Sequence, residues 1–271
     1  DNVEQRYDFF HQQEERIPFD LDYFNRITKG GLPRKTLNIA LAGTGVGKSL
    51  FMCHVAANAL MQGRNVLYIT MEMAEERIAE RIDANLLDIP IDQLENIAKD
   101  TELKLKRNFV PEIIFIDYLN ICGSARMKAM GGSINSYTYI KAIAEEMRGL
   151  AVEFNVPIVS ATQTTRAGFS SSDPGLEDTS ESFGLPATAD LMFALIATEE
   201  LDAQGQIMVK QLKNRYNDPG AYKRFVIGVD RSKMKLRDVQ DAEANLINDT
   251  PAMDNSRTAE MTNKFKDFKM E

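Results

Sequence analysis

The chain predicts an α/β fold, a mostly parallel twisted sheet flanked by helices and extended by an antiparallel hairpin toward its C-terminal end. Three observations carry this. Short apolar runs of strand length recur at residues 37–41, 66–70, 113–117 and from 156, which is how strands covered on both faces read. Between them lie stretches with helical periodicity, so strand and helix alternate as a parallel sheet requires. Two later runs, 207–212 and 224–229, flank the turn-forming Asn217-Asp218-Pro219-Gly220 and so predict the hairpin.

In order along the chain, residues 1–15 are polar and aromatic, with Tyr7, Phe9 and Phe10 spaced along one face of a short helix, and read as a linker helix or arm. The main domain is expected over 16–240. It opens at Arg16-Ile17-Pro18-Phe19, continues through Leu21, Phe24 and Ile27, and turns at Gly30-Gly31-Leu32-Pro33. A strand at 37–41 leads through a glycine-rich loop into a helix over 49–62. A strand over 66–70 precedes Met71-Glu72-Met73 and a helix starting near Ala74 that carries Ile78, Ile82 and Leu86 on one face. After Pro90 a short helical segment is expected, and then a strand ending at Asp117. Residues 123–136, with Gly131-Gly132, read as a loop. The clearest helix follows: Ile140, Ile143, Ala144, Met147, Leu150, Ala151 and Phe154 share helical spacing. A strand over 156–160 leads to Thr162-Gln163. Residues 165–182, rich in Ser, Gly and Asp, read as a second loop, and 191–197 as a strand. From Asp241 to 271 the scarcity of bulky apolar residues predicts a flexible tail.

Composition narrows the classes of function. With 271 residues, 44% hydrophobic and 27% charged, the chain has the make-up of a globular protein with a large core. No apolar run is long enough to span a bilayer and the first residues lack a signal-peptide pattern, so an intracellular, cytoplasmic protein without membrane contact is expected. Cys53, Cys122, His11 and His54 are too few and too scattered for a disulfide framework or a zinc site, and Cys53 and His54 are expected to pack along the helix that holds them. A net charge of −8 argues against a surface broadly adapted to nucleic acid, so any such contact must be local.

The loop Ala42-Gly43-Thr44-Gly45-Val46-Gly47-Lys48-Ser49 lies between a strand and a helix, the setting of a phosphate-binding loop. Its glycines let successive backbone N–H groups turn inward onto phosphates, and the helix aims its positive dipole end at the same point. Lys48 is placed to reach the β- and γ-phosphates and Ser49 to hold Mg²⁺. Ala42 stands where the motif has its first glycine, a small residue for a small one. A nucleoside triphosphate and Mg²⁺ are therefore the expected ligands of this loop, and the resemblance given below makes the nucleotide ATP.

Three further polar residues close strands, where an α/β sheet presents them to a ligand. Asp117 has the place of an acid that orients Mg²⁺, although a strand-ending aspartate can also serve only as a helix cap. Glu72 has the place of a base polarising the attacking water, or of a surface glutamate. Gln163 is suited to sensing the γ-phosphate, a weak reading taken alone. Lys213 and Arg215 follow another strand; taken alone they read as solvated cations.

Together these segments resemble the RecA-like motor domain of DnaB-type hexameric replicative helicases, and within it the T-even-type phage branch. The resemblance rests on Gly30-Gly31-Leu32-Pro33, the loop 42–49, the run 67–76 with Met71-Glu72-Met73, Ile116-Asp117-Tyr118-Leu119, the run 141–146, Ala161-Thr162-Gln163, the run 184–190 and Lys213-Asn214-Arg215-Tyr216. It spans roughly 16–240. It implies a RecA-like P-loop NTPase in which Glu72 is the catalytic base, Asp117 the Mg²⁺-linked acid, Gln163 the γ-phosphate sensor, and Arg215, with Lys213, a finger reaching the ATP of an adjacent subunit. It further implies a homo-hexameric ring translocating 5′→3′ on single-stranded DNA, with a primase and a helicase loader as partners. Arg126 and Lys128 in one loop, Arg166 in the next, and Ser180, Glu181 and the backbone near Gly184 would contact the strand, Ser180 standing where the family has a basic residue. Two departures matter. The stretch 88–109 is shorter than in the family, which raises the expectation that residues are missing there, and the family's separate N-terminal domain is not in this sequence. The alternative is a RecA- or RadA-type recombination or repair ATPase that forms filaments on DNA. An adaptor that uses nucleotide only to set its assembly state is a further rival.

Overall fold

The structure, a computed structural model, describes residues 15–96, 109–126, 136–164, 175 and 184–239. The expected arm and tail, and most of both expected loops, lie outside these residues. A two-stranded ribbon, β1 (Arg16–Ile17) with β2 (Leu32–Pro33), brackets helix α1 (Asp22–Thr28). Then come β3 (Leu37–Ala42), α2 (Lys48–Met61), β4 (Val66–Thr70), α3 (Glu75–Leu87), β5 (Ile113–Asp117), α4 (Ser136–Glu153) and β6 (Ile158–Gln163). The chain continues through α5 (Gly184–Thr188), β7 (Leu191–Ile196), α6 (Glu199–Ala203), β8 (Gln206–Asn214), β9 (Arg224–Asp230) and β10 (Lys235–Asp238).

Eight strands form the main sheet in the order β10-β9-β8-β7-β3-β6-β5-β4. The five from β7 to β4 run parallel, and β8, β9 and β10 extend the sheet antiparallel. The central strands are buried throughout, as their unbroken apolar runs require. Each face carries its own core. On one, α1, α2 and α3 bring Phe24, Phe51 and Ile78 against Phe115 and Phe193. On the other, α4 and α5 bring Ile140, Ile143 and Leu185 against Leu37, Ile39 and Ile158.

The first core fixes the helix behind the glycine-rich loop. The ring of Phe24 lies 5.3 Å from Phe51, 5.2 Å from Phe193 and 5.3 Å from Phe225, so α1, α2 and the sheet meet on one side chain. Burying such a ring stabilises by about 1.5–3 kcal/mol. His54 ties α2 to three other segments. Its Nδ1 accepts from the Asn85 amide at 3.0 Å and the Leu236 N–H at 3.3 Å, so the ring proton sits on Nε2 and points at Asp20, 3.0 Å away. Cys53 is fully buried beside it, as expected.

Several local expectations are corrected. Residues 22–28 form a helix where only scattered apolar positions are legible; Lys29 closes it in the left-handed conformation. The strand expected over 156–160 begins at Ile158 and ends at Gln163, because Asn155 takes the left-handed conformation that terminates the preceding turn. The short helical segment expected after Pro90 is present, as a 3-10 helix over Ile91–Asn96. Leu150 and Phe154 do not join the apolar face of α4: they are 42% and 56% exposed, Leu150 turned from the buried line through Met147 and Ala151, and Phe154 beyond the helix end. No helix among the described residues is long and apolar enough to cross a membrane.

Candidate active site at the carboxyl ends of the parallel strands

The loop after β3 takes the shape its glycines permit. Gly45 and Gly47 sit at φ +78° and +137°, and a side chain on Gly47 would also press on Ile207. Val46 N–H donates to the Gly43 carbonyl, and Gly47 O accepts from Phe51 N–H in the first turn of α2. Lys48, the first residue of that helix, is 8% exposed, with Nζ 3.3 Å from Gly43 O. Burial pushes its pKa down, against the opposing pull of the Glu72 and Asp117 carboxylates. A buried ammonium whose hydrogen bond goes to a single neutral carbonyl is suited to an incoming anion.

Glu72 is set by the turn that ends β4. Thr70 Oγ1 donates to Met73 O at 2.8 Å and accepts from Met73 N–H, while Met71 N–H bonds Asp117 O at 3.0 Å. These bonds hold the Met-Glu-Met segment against the end of β5, and Glu72 lines the same cleft as Thr44, Lys48, Ser49 and Gln163. Gln163 gets there by register, lying opposite Ala42 across the β3–β6 pairing.

Asp117 is fully buried. Its Oδ2 accepts from the Tyr68 hydroxyl at 3.1 Å, whereas Oδ1 has no partner among the described residues. An orphaned carboxylate oxygen at that depth is costly unless something cationic or water-bearing meets it. The donor set, a half-buried Ser49 hydroxyl and a carboxylate oxygen, is the hard-oxygen chemistry that Mg²⁺ takes, with water completing its shell. Tyr68 was not singled out by sequence. Burial raises its pKa well above the usual phenol range, so it remains a donor. It stacks on Phe115, centroids 5.6 Å apart, and Cys53 touches its oxygen at 4.0 Å, with the thiol pushed up to about 12 by burial.

Two arginines of the cleft were also missed. Arg81 on α3 lines it, and Arg231, after β9, holds the Gly45 and Val46 carbonyls at 3.4 and 3.5 Å while pairing with Asp202 at 3.1 Å. Neither has a sequence signal; only the packing of β9 beside the loop brings Arg231 there.

Lys213 and Arg215 are not in this cleft. Ala42 pairs with Leu195, which pairs with Val209, whereas Asn38 pairs with Leu191, which pairs with Asn214. Antiparallel β8 therefore ends at the opposite end of the parallel strands, about 13 Å along them at ~3.3 Å per residue. There Lys213 Nζ donates to the Pro186 and Ala187 carbonyls at 2.6 and 2.9 Å, and Arg215 Nη1 donates to Asp190 at 2.9 Å. Arg126 pairs with Glu145 at 2.9 Å and lies 3.8 Å from Glu146, two carboxylates of α4 that offset its charge locally. Gly184 is buried at the start of α5. Lys128, Arg166, Ser180 and Glu181 lie outside the described residues.

A backbone cradle at the carboxyl ends of parallel strands, with an acid closing a nearby strand, defines a P-loop NTPase of RecA-like build. Residues 17–108 match the KaiC ATPase family and residues 98–231 the DnaB-like helicase C terminal domain. The DnaB-like replicative helicase of Enterobacteria phage T4 is 42% identical over 289 aligned residues, covering 92% of this chain and 60% of that protein. That alignment is longer than the chain, so the phage protein carries residues with no counterpart here. The DNA repair protein RadA of Rickettsia conorii is 29% identical over 159 residues, 56% of this chain and 34% of that one. Among solved structures, a DnaB-like replicative helicase studied for its interactions with primase superposes with a TM-score of 0.70 at 17% identity, covering 88% of this chain and 65% of that one. Over most of its length the chain is thus similar to DnaB-like replicative helicases, and it spans about 60% of the length of the phage T4 protein.

Proposed function

We propose that this chain is the ATP-hydrolysing motor of a replicative DNA helicase. The observation that carries the reading is the split between the two ends of the sheet. One end holds a cradle with a buried lysine and an orphaned acid, and the other holds two cations that cannot reach their own cradle. Ala42 to Ser49 would wrap the triphosphate, with Lys48 on the β- and γ-phosphates. Ser49 and Asp117 Oδ1 would hold Mg²⁺, whose charge offsets that of the phosphate oxygens. Glu72 would take the proton of the attacking water and Gln163 would sense the γ-phosphate. Arg215 and Lys213 of an adjacent protomer would complete the site by stabilising charge on the transferring phosphoryl group.

Assembly as a homo-hexamer, 5′→3′ movement on single-stranded DNA, unwinding at a fork, and work beside a primase and a loader in a cytoplasm, that of the host for a phage protein, extend this reading by resemblance. Strand contact at Arg126, Lys128, Arg166, Ser180, Glu181 and Gly184 belongs to the same proposal, as does division into an arm at 1–15, a motor at 16–240 and a tail at 241–271. The similarity to RadA supports a second reading, a repair or recombination ATPase that forms filaments. The test is ATP hydrolysis with and without single-stranded DNA for Lys48→Ala and Glu72→Gln, with the assembled protein viewed by electron microscopy. Loss of DNA-stimulated turnover in both variants and closed rings are expected. Normal turnover in either overturns that residue's assignment, and filaments favour the second reading.

A further inference from the structure

Resting on the reading of Arg215 as a cation for the neighbour's nucleotide, we infer that Asp190 and Arg148 are its positioning residues, a clamp that presets the guanidinium before any neighbour arrives. Asp190 sits between α5 and β7 with its side chain 5% exposed. Its Oδ2 accepts from Leu37 N–H at 3.0 Å and Arg148 Nε at 3.1 Å; its Oδ1 accepts from Arg148 Nη2 and Arg215 Nη1, each at 2.9 Å. The backbone joins in, since Arg215 N–H donates to Asp190 O at 2.9 Å and Arg215 Nη2 lies 3.3 Å from Ala187 O. Arg215 is thus fixed at its main chain and at both terminal guanidinium nitrogens while its side chain stays 47% exposed.

The charge balance makes this more than a structural ion pair. Arg148, Lys213 and Arg215 gather around one carboxylate, so the cluster keeps a surplus of positive charge. Burial alone does not make a salt bridge stabilising; this one is cationic, and its Arg215 member is half open to solvent. Anchoring also explains why a long side chain can act across a subunit boundary. The ordering cost of a free arginine is met within the protomer, which leaves two sides of the guanidinium plane committed and the rest available to an anion.

Asp190→Asn keeps an acceptor for Leu37 N–H but loses the charge that holds Arg215. Expected is a kcat for DNA-stimulated ATP hydrolysis about tenfold lower at unchanged KM. The deciding readout is complementation in mixtures. Lys48→Ala protomers have a dead cradle and an intact Arg215, so mixing them with Asp190→Asn should raise turnover above the sum of the two, because sound cradles then meet sound cations. The same mixture with Arg215→Ala is the control. Rescue of both supports the inference. Rescue of Arg215→Ala alone, or full activity of Asp190→Asn by itself, overturns the inference and leaves the reading of Arg215 standing. Rescue of neither overturns that reading. If Asp190→Asn does not fold, Arg148→Gln, on the surface of α4, enters the same mixtures and is judged by the same outcomes.

Discussion

The Tyr68 hydroxyl donates to one oxygen of the Asp117 carboxylate, and the other has no partner among the described residues. The two side chains stand on adjacent strands, Tyr68 opposite Phe115 and Asp117 opposite Thr70, so the bond spans the sheet diagonally at the strand ends. It fixes the rotation of a buried acid whose second oxygen is the one suited to a cation's hydration shell.

Tyr68→Phe keeps the stacking on Phe115 and removes only that donor. Loss of a hydrogen bond behind a metal-holding group typically weakens metal affinity by about 10–100-fold. The Mg²⁺ concentration that half-saturates ATP hydrolysis should rise about tenfold, the lower end of that range, with the maximal rate at saturating Mg²⁺ largely restored. An unchanged Mg²⁺ titration would separate Tyr68 from Asp117's role.

Lys48→Met should stabilise the nucleotide-free protein and abolish nucleotide binding. Burial lowers the Lys48 pKa, so the folded state resists the charged form that the unfolded state carries freely. That penalty is full below the depressed folded value and fades as pH rises toward the ordinary 10.5. Hence the variant's advantage, roughly 1 kcal/mol and so about 2–4 °C for a domain of this size, is present at neutral pH and shrinks in alkali. Thermal melts from pH 7 to 10, with a fluorescent nucleotide titration, check both halves.

Gly31→Ala should be strongly destabilising and Gly30→Ala mild. Both positions have φ in the left-handed half, +127° and +103°, but a Cβ on Gly31 would lie 2.3 Å from the Ile17 carbonyl oxygen, whereas one on Gly30 meets open space. Backbone strain alone costs about 1–3 kcal/mol; a clash with a strand backbone adds to it. Urea denaturation of the pair measures the difference directly.

The alternation of continuous apolar runs with periodic stretches was enough to place β3, β4, β5 and the helices between them, because β3 and β5 are buried throughout and the edge strand β4 still keeps a mainly apolar run. Legibility ended where local signals were weak. Residues 22–28 form a helix only because Phe24 and Ile27 are drawn into the ring cluster around Phe51. Strand β10 pairs with β9 through a short turn, and Leu236 N–H docks it on His54, a partner no window of sequence contains. At the site, Lys48, Ser49, Glu72, Asp117 and Gln163 were legible because each stands at a strand end or in a motif. Tyr68 and Arg231 were not, nor was Asp190 at the other end of the strands, since each works through a contact with a segment distant in sequence.

The reversal of direction at β8 gives each molecule an unlike head and tail. On the proposed reading, in which cations at one end of the strands serve the cradle at the other end of a neighbour, copies would stack in one sense only, every junction would be the same and the row of copies would have polarity. Whether such a series closes on itself or winds onward depends only on the angle turned from one copy to the next. Small changes in that angle would separate a circular engine from a helical polymer built of the same parts.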